Sequence, residues 1–97
     1  MSSNPNLSDS TTVVANDDCL STEIDGESVI LHMEQGKYYG FNEVGTRVWE
    51  LTQESHSLEE ICRTILETYD VDEERCRADI RELIAELIEL DLVRTTE

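Results

Sequence analysis

The stretch GKYYGFNEVGTRVWEL, Gly36 to Leu51, joins a strand-like run of aromatic residues directly to an amphipathic helix. Three of the five aromatic residues of the chain, Tyr38, Tyr39 and Phe41, lie within its first six positions. Alternate side chains of a strand point to opposite faces, so Tyr39 and Phe41 share one face and Tyr38 takes the other. One face belongs to the core, and the other is available to a ligand unless all three residues simply fill a thin core.

Two more strands are predicted before this segment. CLSTEI, residues 19–24, alternates apolar and polar side chains, and SVILHM, residues 28–33, is rich in β-forming residues. Asp25-Gly26 is typical of a tight hairpin turn, because both residues tolerate positive φ. With KYYGF at 37–41 as the third strand, the pattern predicts an antiparallel meander in which His32 faces solvent.

Three helices follow, and each begins at a recognisable cap. Asn42 is the expected N-cap of a helix over about 43–53. Ser57 and Glu60 have the spacing of a capping box for the second helix, and Asp72 is the expected cap of the third. The sequence therefore predicts an α+β fold of the winged helix-turn-helix type, with a three-stranded antiparallel sheet followed by three helices.

The two ends of the chain have weaker patterns. Residues 1–17 are polar and rich in Ser and Thr without periodicity, which predicts a flexible tail. Residues 18–97 are long enough for one small domain. LVR, residues 92–94, is expected to form a short closing strand or an extended end.

The composition restricts the partners of the chain. Its 97 residues include 23 Asp and Glu but only 7 Lys and Arg, which gives a net charge of −16. A protein that binds nucleic acid needs cations to displace phosphate counterions, so this charge argues against a nucleic-acid partner. The acidic surface either keeps the protein soluble or attracts a basic peptide or protein.

The cysteines and the hydropathy predict a cytoplasmic protein without a membrane partner. The cysteine count of three is odd, and no secretory segment is present, which favours a reducing compartment. No apolar run approaches the roughly 18 residues of a membrane span.

The sequence has no arrangement of residues typical of catalysis. We find no Ser/His/Asp or Cys/His pattern, no glycine-rich phosphate loop and no cluster at metal-ligand spacing, so no cofactor is expected. His56 is expected to be a surface histidine, and Cys76 a small core residue rather than a nucleophile. The chain is therefore predicted not to be an enzyme by itself.

The predicted architecture leaves one obvious binding surface. A small meander has an edge strand whose N–H and C=O groups are unpaired. The third helix must pack near the sheet to bury its apolar stripe, and an edge strand beside such a helix forms a groove. An extended peptide can enter a groove of this kind as an additional strand.

Ordered segments of the chain resemble the PqqD-like family of leader-peptide recognition proteins. They run from Tyr39-Gly40-Phe41-Asn42, through SLEEI at 57–61 and YDVDEERCRADI at 69–80, to LIELDLV at 87–93. The resemblance covers about residues 18–94. YDVDEERCRADI is most similar to the stand-alone recognition proteins of lasso-peptide clusters.

The resemblance implies a binding mode. A leader peptide would add as a fourth strand beside the third strand and lie against the third helix. The residues implied on the strand and the helix are Lys37, Tyr38, Tyr39, Phe41, Cys76, Asp79, Ile80, Leu83 and Leu87. Arg77, within a helix face of mixed charge, is a candidate contact for a carboxylate of the leader.

The resemblance also implies partners. The first is a precursor leader peptide, and the others are a leader peptidase, an ATP-dependent cyclase or another modifying enzyme. One alternative is a PqqD-type chaperone in pyrroloquinoline quinone biosynthesis. A winged-helix transcription regulator is an alternative of another class, which the helix order permits and the charge opposes. Relatives commonly have Gly where Asp91 stands, and Asp tolerates the left-handed conformation of a helix C-cap at some cost.

Overall fold

The computed structural model describes residues 7–96 of the chain. The predicted α+β fold is confirmed, with six strands and three helices in that range. Their bounds are β1 Thr12–Ala15, β2 Cys19–Ile24, β3 Glu27–His32, β4 Lys37–Phe41, α1 Glu43–Leu51, β5 His56–Ser57, α2 Leu58–Thr68, α3 Glu73–Glu89 and β6 Val93–Thr96.

Strands β2, β3 and β4 form the predicted antiparallel meander, and β4 is one of its edges. The β2–β3 hairpin turns at Asp25 and Gly26, whose φ angles of 54° and 82° are those of a tight two-residue turn. Along β3, Ser28, Ile30 and His32 are buried. The meander therefore has an inner face, which packs on the helices, and an outer face.

The N-terminal segment differs from its prediction. Thr12–Ala15 form β1, which pairs antiparallel with β6 on one side and β5 on the other. Val13 is completely buried, and the hydroxyls of Thr12 and Thr96 are 2.8 Å apart. The predicted flexible tail over 1–17 is therefore wrong for this strand, because its partners lie far away in the sequence. Residues 1–6 lie outside the described range.

The segment before β1 also completes the start of α2. The first two backbone N–H groups of α2, those of Leu58 and Glu59, have no partner within the helix. They donate to the carbonyl oxygens of Thr11 and Asp9, each at 3.0 Å. The predicted capping box is confirmed, because Ser57 Oγ accepts from the Glu60 N–H at 3.1 Å and the Ser57 N–H donates to Glu60 Oε1 at 2.9 Å.

The caps of the other two helices also agree with the sequence. Asn42 Oδ1 accepts from the N–H of Gly45 at 2.9 Å, and Asp72 Oδ2 accepts from the N–H of Arg75 at 3.1 Å. The first helix ends at Leu51, earlier than expected. Side-chain oxygens thus fix where α1 and α3 begin, and these two starting points border the groove described below.

The last turn of α3 explains why Asp91 is tolerated. Its φ of 64° is left-handed, the N–H of Leu92 donates to the carbonyl of Leu87 at 2.9 Å, and the N–H of Asp91 donates to the carbonyl of Ile88 at 3.0 Å. These two bonds are the Schellman motif that normally places Gly at this position. The carboxylate accepts from Asn16 Nδ2 at 3.2 Å, and this contact offsets part of the backbone strain.

His32 is buried, and the expectation that it faces solvent is wrong. Its Nδ1 accepts from the N–H of Gln35 at 3.2 Å, so the ring proton lies on Nε2, which donates to Asp91 Oδ2 at 3.1 Å. Ser28, on the same face of β3, lies 2.9 Å from Thr46 Oγ1 and is also buried. Polar partners therefore permit a polar inner face, which the alternation of apolar residues did not indicate.

The core lies between the helices, the inner face of the meander and β1. Trp49 of α1, Ile61 and Ile65 of α2, and Ile84 of α3 are all buried there. Because α3 contributes its whole buried stripe to this core, its position relative to β4 is fixed by packing.

Candidate functional site

A groove with a volume of about 590 Å³ opens beside the C-terminal end of β4. One side is the passage from β4 into α1, and the other is formed by the end of α2 and one flank of α3. Its apolar lining includes Phe41, Val44, Val71, Cys76, Ile80 and Leu83. An apolar groove that meets an edge strand is an arrangement that can accept an extended peptide.

The charged groups of the groove all lie on α3 or at its cap: Asp72, Arg75, Asp79 and Glu86. Asp72 is occupied with capping, since its carboxylate accepts from a backbone N–H. The remaining three project along one flank of the helix, at spacings of four and seven residues. The groove therefore combines an apolar floor with a charged border.

The opposite end of α3 is tied to the β3–β4 turn. Gln35 Nε2 donates to the carbonyl of Leu90 at 3.3 Å, and the hydroxyl of Tyr39 donates to Gln35 Oε1 at 3.0 Å. Together with the contact between His32 and Asp91, these bonds fix the distance between the hairpin and the helix end.

The aromatic residues of β4 divide between the two faces as the alternation predicts. Tyr39 and Phe41 pair with the buried residues Ile30 and Ser28, and both pack partly against the core. Tyr38 lies on the outer face and is 73% exposed. The three aromatic residues therefore do not act as one cluster.

Half of the predicted site residues come together in the groove. These are Phe41, Cys76, Asp79, Ile80 and Leu83.

The other five predicted residues lie elsewhere. Tyr38 is on the wrong face of the sheet for the groove, and Leu87 is a fully buried core residue. Tyr39 belongs to the tie at the hairpin, and Lys37 is exposed at the start of β4. Arg77 is turned away and pairs with Glu73 at 3.2 Å and with Asp9 at 3.6 Å.

Sequence reasoning missed the residues at the two junctions of the groove. Val44, Tyr69 and Val71 line it, although nothing in the sequence singled them out as site residues. Gly45 lines it too, and a Cβ there would lie 3.1 Å from Phe41 Cβ. The asparagine cap directly after the aromatic strand was the available signal, because it places the first turn of α1 against the end of β4.

The pKa values of two groove residues, Cys76 and Tyr69, are raised in a way that favours the neutral form. Burial raises the pKa of the Cys76 thiol above its ordinary value of 9.0, and Asp79 raises it further. Partial burial raises the pKa of Tyr69 above 10.0, and the nearby Glu43 adds to this effect. Tyr69 thus remains a hydroxyl donor at neutral pH, with Glu43 Oε2 at 3.4 Å.

The outer face of the meander carries exposed apolar residues. Leu20, Leu31 and Tyr38 are cross-strand neighbours in register on this face. Leu20 and Ile24 are both more than half exposed. A shallow hollow beside Gly40 and Ile24 adjoins this face, so Gly40 lies between the hollow and the groove.

The chain between residues 7 and 96 contains neither a metal-ligand cluster nor a membrane-spanning helix. No group of three or more His, Cys, Asp or Glu side chains in that range is placed to hold a metal ion. No helix there has both the length and the apolar character that crossing a membrane requires.

Known proteins with similar sequences or structures share this architecture. The family model for coenzyme PQQ synthesis protein D (PqqD) matches residues 27–93. TbiB1, solved in complex with the TbiA(beta) leader peptide, is 34% identical with a TM-score of 0.78, over 84% of this chain and 94% of that chain. Among curated proteins, none matches this chain significantly.

Two more distant structures share the fold. A lasso peptide synthetase B1 complexed with the leader peptide is 18% identical with a TM-score of 0.74, over 84% of this chain and 96% of that one. The PqqD truncation of Methylobacterium extorquens PqqCD, a RiPP recognition element, is 19% identical with a TM-score of 0.74, over 91% and 94%. Since the family match extends from β3 to the start of β6, well over half of the sequence, this chain belongs to the PqqD family.

Proposed function

We propose that this protein binds the leader region of a ribosomally made precursor peptide and delivers it to separate enzymes of a lasso-peptide pathway. One observation carries the proposal: the unpaired edge of β4 adjoins an apolar groove against α3, in a chain 34% identical to a protein solved with its leader peptide. An added strand would pair with the free N–H and C=O groups of β4. Its alternate side chains would then enter the groove.

The two alternatives have less support. The structure of the PqqD truncation has the same fold but only 19% identity, so a role in pyrroloquinoline quinone biosynthesis is the second candidate. A transcription regulator is disfavoured because the net charge of −16 repels phosphate. The arginines on the far flank of α3 are also engaged, since Arg77 and Arg81 both pair with Asp9.

We propose that the protein has no catalytic activity of its own. Both ring nitrogens of His32 have partners, so this histidine is not available as a general base. Cys76 is the thiol in the groove, and its raised pKa keeps it protonated and weakly nucleophilic. The contribution of the protein would instead be to raise the local concentration of substrate near an enzyme.

Leader binding is tested by calorimetric titration with a synthetic leader peptide of a lasso-peptide precursor. We expect a Kd between micromolar and nanomolar, about −8 to −12 kcal/mol. Val44→Asp and Val71→Asp each place a charge on the border of the groove, where Val44 is 38% and Val71 is 49% exposed. Both variants should fold, and both should bind at least about tenfold more weakly, a loss of about 1.4 kcal/mol.

Leu20→Asp is the matched control. It makes the same change of charge at an exposed apolar residue on the outer face, so leader affinity should stay at the wild-type value. Circular dichroism confirms the fold of each variant. If the folded groove variants bind the leader as tightly as Leu20→Asp does, the leader does not occupy the groove.

Gly40 provides an independent test of strand addition. Its φ is not left-handed, and a Cβ added there meets no atom within 4 Å, so the isolated chain has no steric need for glycine. Glycine inside a strand often marks a place where another backbone approaches closely. Gly40→Ala should therefore leave the melting temperature unchanged or higher but weaken leader binding. Unchanged affinity would mean that no peptide passes close to this position.

We further propose that the processing enzymes dock on the outer face of the meander. A leader strand added beside β4 would extend this sheet, so its outward side chains would lie next to Tyr38. An enzyme that covers Leu20, Leu31 and Tyr38 would then contact protein and leader together. An apolar patch of this kind on such an acidic chain favours a partner with an apolar docking face.

Variants of the outer face test enzyme docking independently of leader binding. Leu20→Asp and Ile24→Asp should keep leader affinity and lose the stimulation of the leader peptidase in a reconstituted cleavage assay. Sedimentation of the free protein identifies the competing occupant, a second copy of the chain. A dimer that these variants dissociate, with cleavage unaffected, would assign the face to self-association instead.

A further inference from the structure

The cations of this chain differ sharply in whether they have ion-pair partners. Arg47, Arg63, Arg77, Arg81 and Arg94 each have a carboxylate partner, at N–O distances between 3.1 and 3.8 Å. Arg75 and Lys37 are the two Lys or Arg residues without one between residues 7 and 96. With 23 acidic residues against 7 basic ones, an arginine without a partner is unexpected.

Arg75 is placed where a bound peptide would pass. It lies in the first turn of α3 and lines the groove with Val71 and Phe41. Its backbone N–H donates to Asp72, and its guanidinium has no carboxylate in that range within ion-pair distance. The next charged residues of α3 that line the groove, Asp79 and Glu86, are both acidic. The charged border of the groove therefore changes sign along α3.

From this charge pattern we infer that Arg75 is a specificity-determining residue, which pairs with an acidic side chain of the bound peptide. The inference rests on the proposed function, since it assigns the chemistry of a ligand for the same groove. The ligand has a carboxylate opposite Arg75, apolar side chains over Ile80 and Leu83, and no acidic side chain opposite Asp79 or Glu86. Arg77 was the candidate from the sequence. It does not have this role, because its guanidinium pairs with Glu73 and Asp9.

The magnitude of the pairing limits what Arg75 does. Its side chain is exposed, so an ion pair with a peptide carboxylate changes affinity only about two- to fivefold, the range for exposed pairs. Such ion pairs contribute more to selectivity between peptide sequences than to affinity, because a basic side chain in the same place would be repelled. The signature of Arg75 is therefore a preference among sequences rather than a large share of the affinity.

The test selects binders from a displayed library of random twelve-residue peptides against wild type, Arg75→Glu and Arg63→Glu. Arg63→Glu is the matched control, since it makes the same charge reversal on α2, outside the groove lining. Peptides selected by wild type and by Arg63→Glu should share Asp or Glu at one fixed position relative to their apolar residues. Arg75→Glu should lose that preference and select Lys or Arg there.

A selected peptide then quantifies the contact by fluorescence anisotropy. Replacing its acidic residue with the matching amide should weaken binding to wild type about two- to fivefold and leave binding to Arg75→Gln unchanged. The inference is overturned if the acidic preference persists in Arg75→Glu, or if selected peptides bind the groove without any acidic position. If none of the folded proteins selects a peptide, the proposed function itself fails, and this inference fails with it.

Discussion

The two flanks of α3, on either side of its buried stripe, use their charges in opposite ways. On one flank, Arg77 and Arg81 are joined to Asp9, and Arg77 also pairs with Glu73. On the groove flank, Arg75 has no ion pair among residues 7–96, and Asp79 borders an open apolar channel. The first flank attaches the N-terminal segment, whereas the second is the one that we propose for peptide binding.

The difference in ion pairing between the two flanks distinguishes the part of α3 that holds the fold together from the part that we propose as a binding surface. Acidic residues without partners carry little information here, since 23 carboxylates cannot all find one of 7 cations. An arginine without an ion pair in the described range is informative on a helix with two paired ones, because all three belong to one helix of the same strongly acidic chain. Pairing within the chain thus marks the flank that holds the N-terminal segment, and its absence marks the flank that we propose for recognition.

The largest expected effect tests the attached flank of α3, which is the one that carries Arg77 and Arg81 and holds the N-terminal segment. Val13→Asp would place an unpaired charge in the core at a residue with no solvent exposure, in the segment that Asp9 helps to hold. The cost should exceed about 4 kcal/mol, a large part of the total stability of a small domain. Thermal unfolding followed by circular dichroism should show a strongly destabilised or unfolded variant.

Val44→Asp is the counterpart on the groove side and should unfold like wild type. A Val13→Asp variant with a wild-type melting curve would show that the N-terminal segment is peripheral, and the contrast between the flanks would then disappear.

A smaller effect is expected where α3 ends, at the tie to the meander. Asp91→Gly relieves the left-handed backbone of about 1 kcal/mol of strain but leaves the buried N–H of His32 without its acceptor, at a cost of about 1–3 kcal/mol. We expect a net loss of about 1 kcal/mol in chemical denaturation. Asp91→Asn retains an acceptor and tolerates this φ, so it should be close to neutral. A glycine variant that is more stable than wild type would mean that the bond from His32 contributes less than the relief of backbone strain.

How far the sequence predicts this molecule depends on the range of the interactions. The meander and the helix starts were predictable because Asp25-Gly26, Asn42, Ser57 and Asp72 act within a few residues of themselves. Strand β1 was not, because Thr12 pairs with residues 45 and 84 positions away. The polar and small residues near Val13, which are Thr11, Thr12, Ala15 and Asn16, are typical of a tail, and only the distant pairing partners show that they belong to a strand.

The candidate site was half predictable for a related reason. The resemblance implied Phe41, Ile80 and Leu83, which line the groove, but it also implied Leu87, because the helical period does not separate core positions from groove positions. His32 was misplaced because apolar residues alternate with it along β3. Those apolar residues lie on the outer face, where we propose that an enzyme docks, and the polar ones are buried with polar partners. The usual rule of apolar residues inside fails at a surface that is itself a candidate interface.

The ion pairs of the attached flank should contribute only a little stability. Asp9→Ala removes the contacts to Arg77 and Arg81, both partly exposed, and should cost no more than about 1 kcal/mol. The loss should shrink at high salt. Arg75→Ala, on the other flank, removes an arginine without an ion-pair partner in the described range and should leave the denaturation midpoint unchanged. Equal losses in the two variants would mean that pairing does not distinguish the flanks.

The smallest expected effect concerns pH at the start of α2, where the N-terminal segment and the capping box meet. The backbone N–H of Ser57, followed by His56, holds the pKa of Glu60 below its ordinary value of 4.5. A lowered folded-state pKa means that this group stabilises the fold fully above pH 4.5, and that the contribution is lost as the pH falls through the folded value.

Glu60→Gln keeps an oxygen acceptor for the cap but does not titrate. Melting temperatures measured from pH 7 to pH 3 should therefore place this variant slightly below wild type at neutral pH, and the two should converge in acid. Glu67→Gln removes one charge from the same helix outside the cap. It therefore shows how much of the effect comes from net charge alone and how much from the ionised Glu60 carboxylate. A gap between Glu60→Gln and wild type that stays constant across the whole range would show that the cap, and not the ionised carboxylate, supplies the stability.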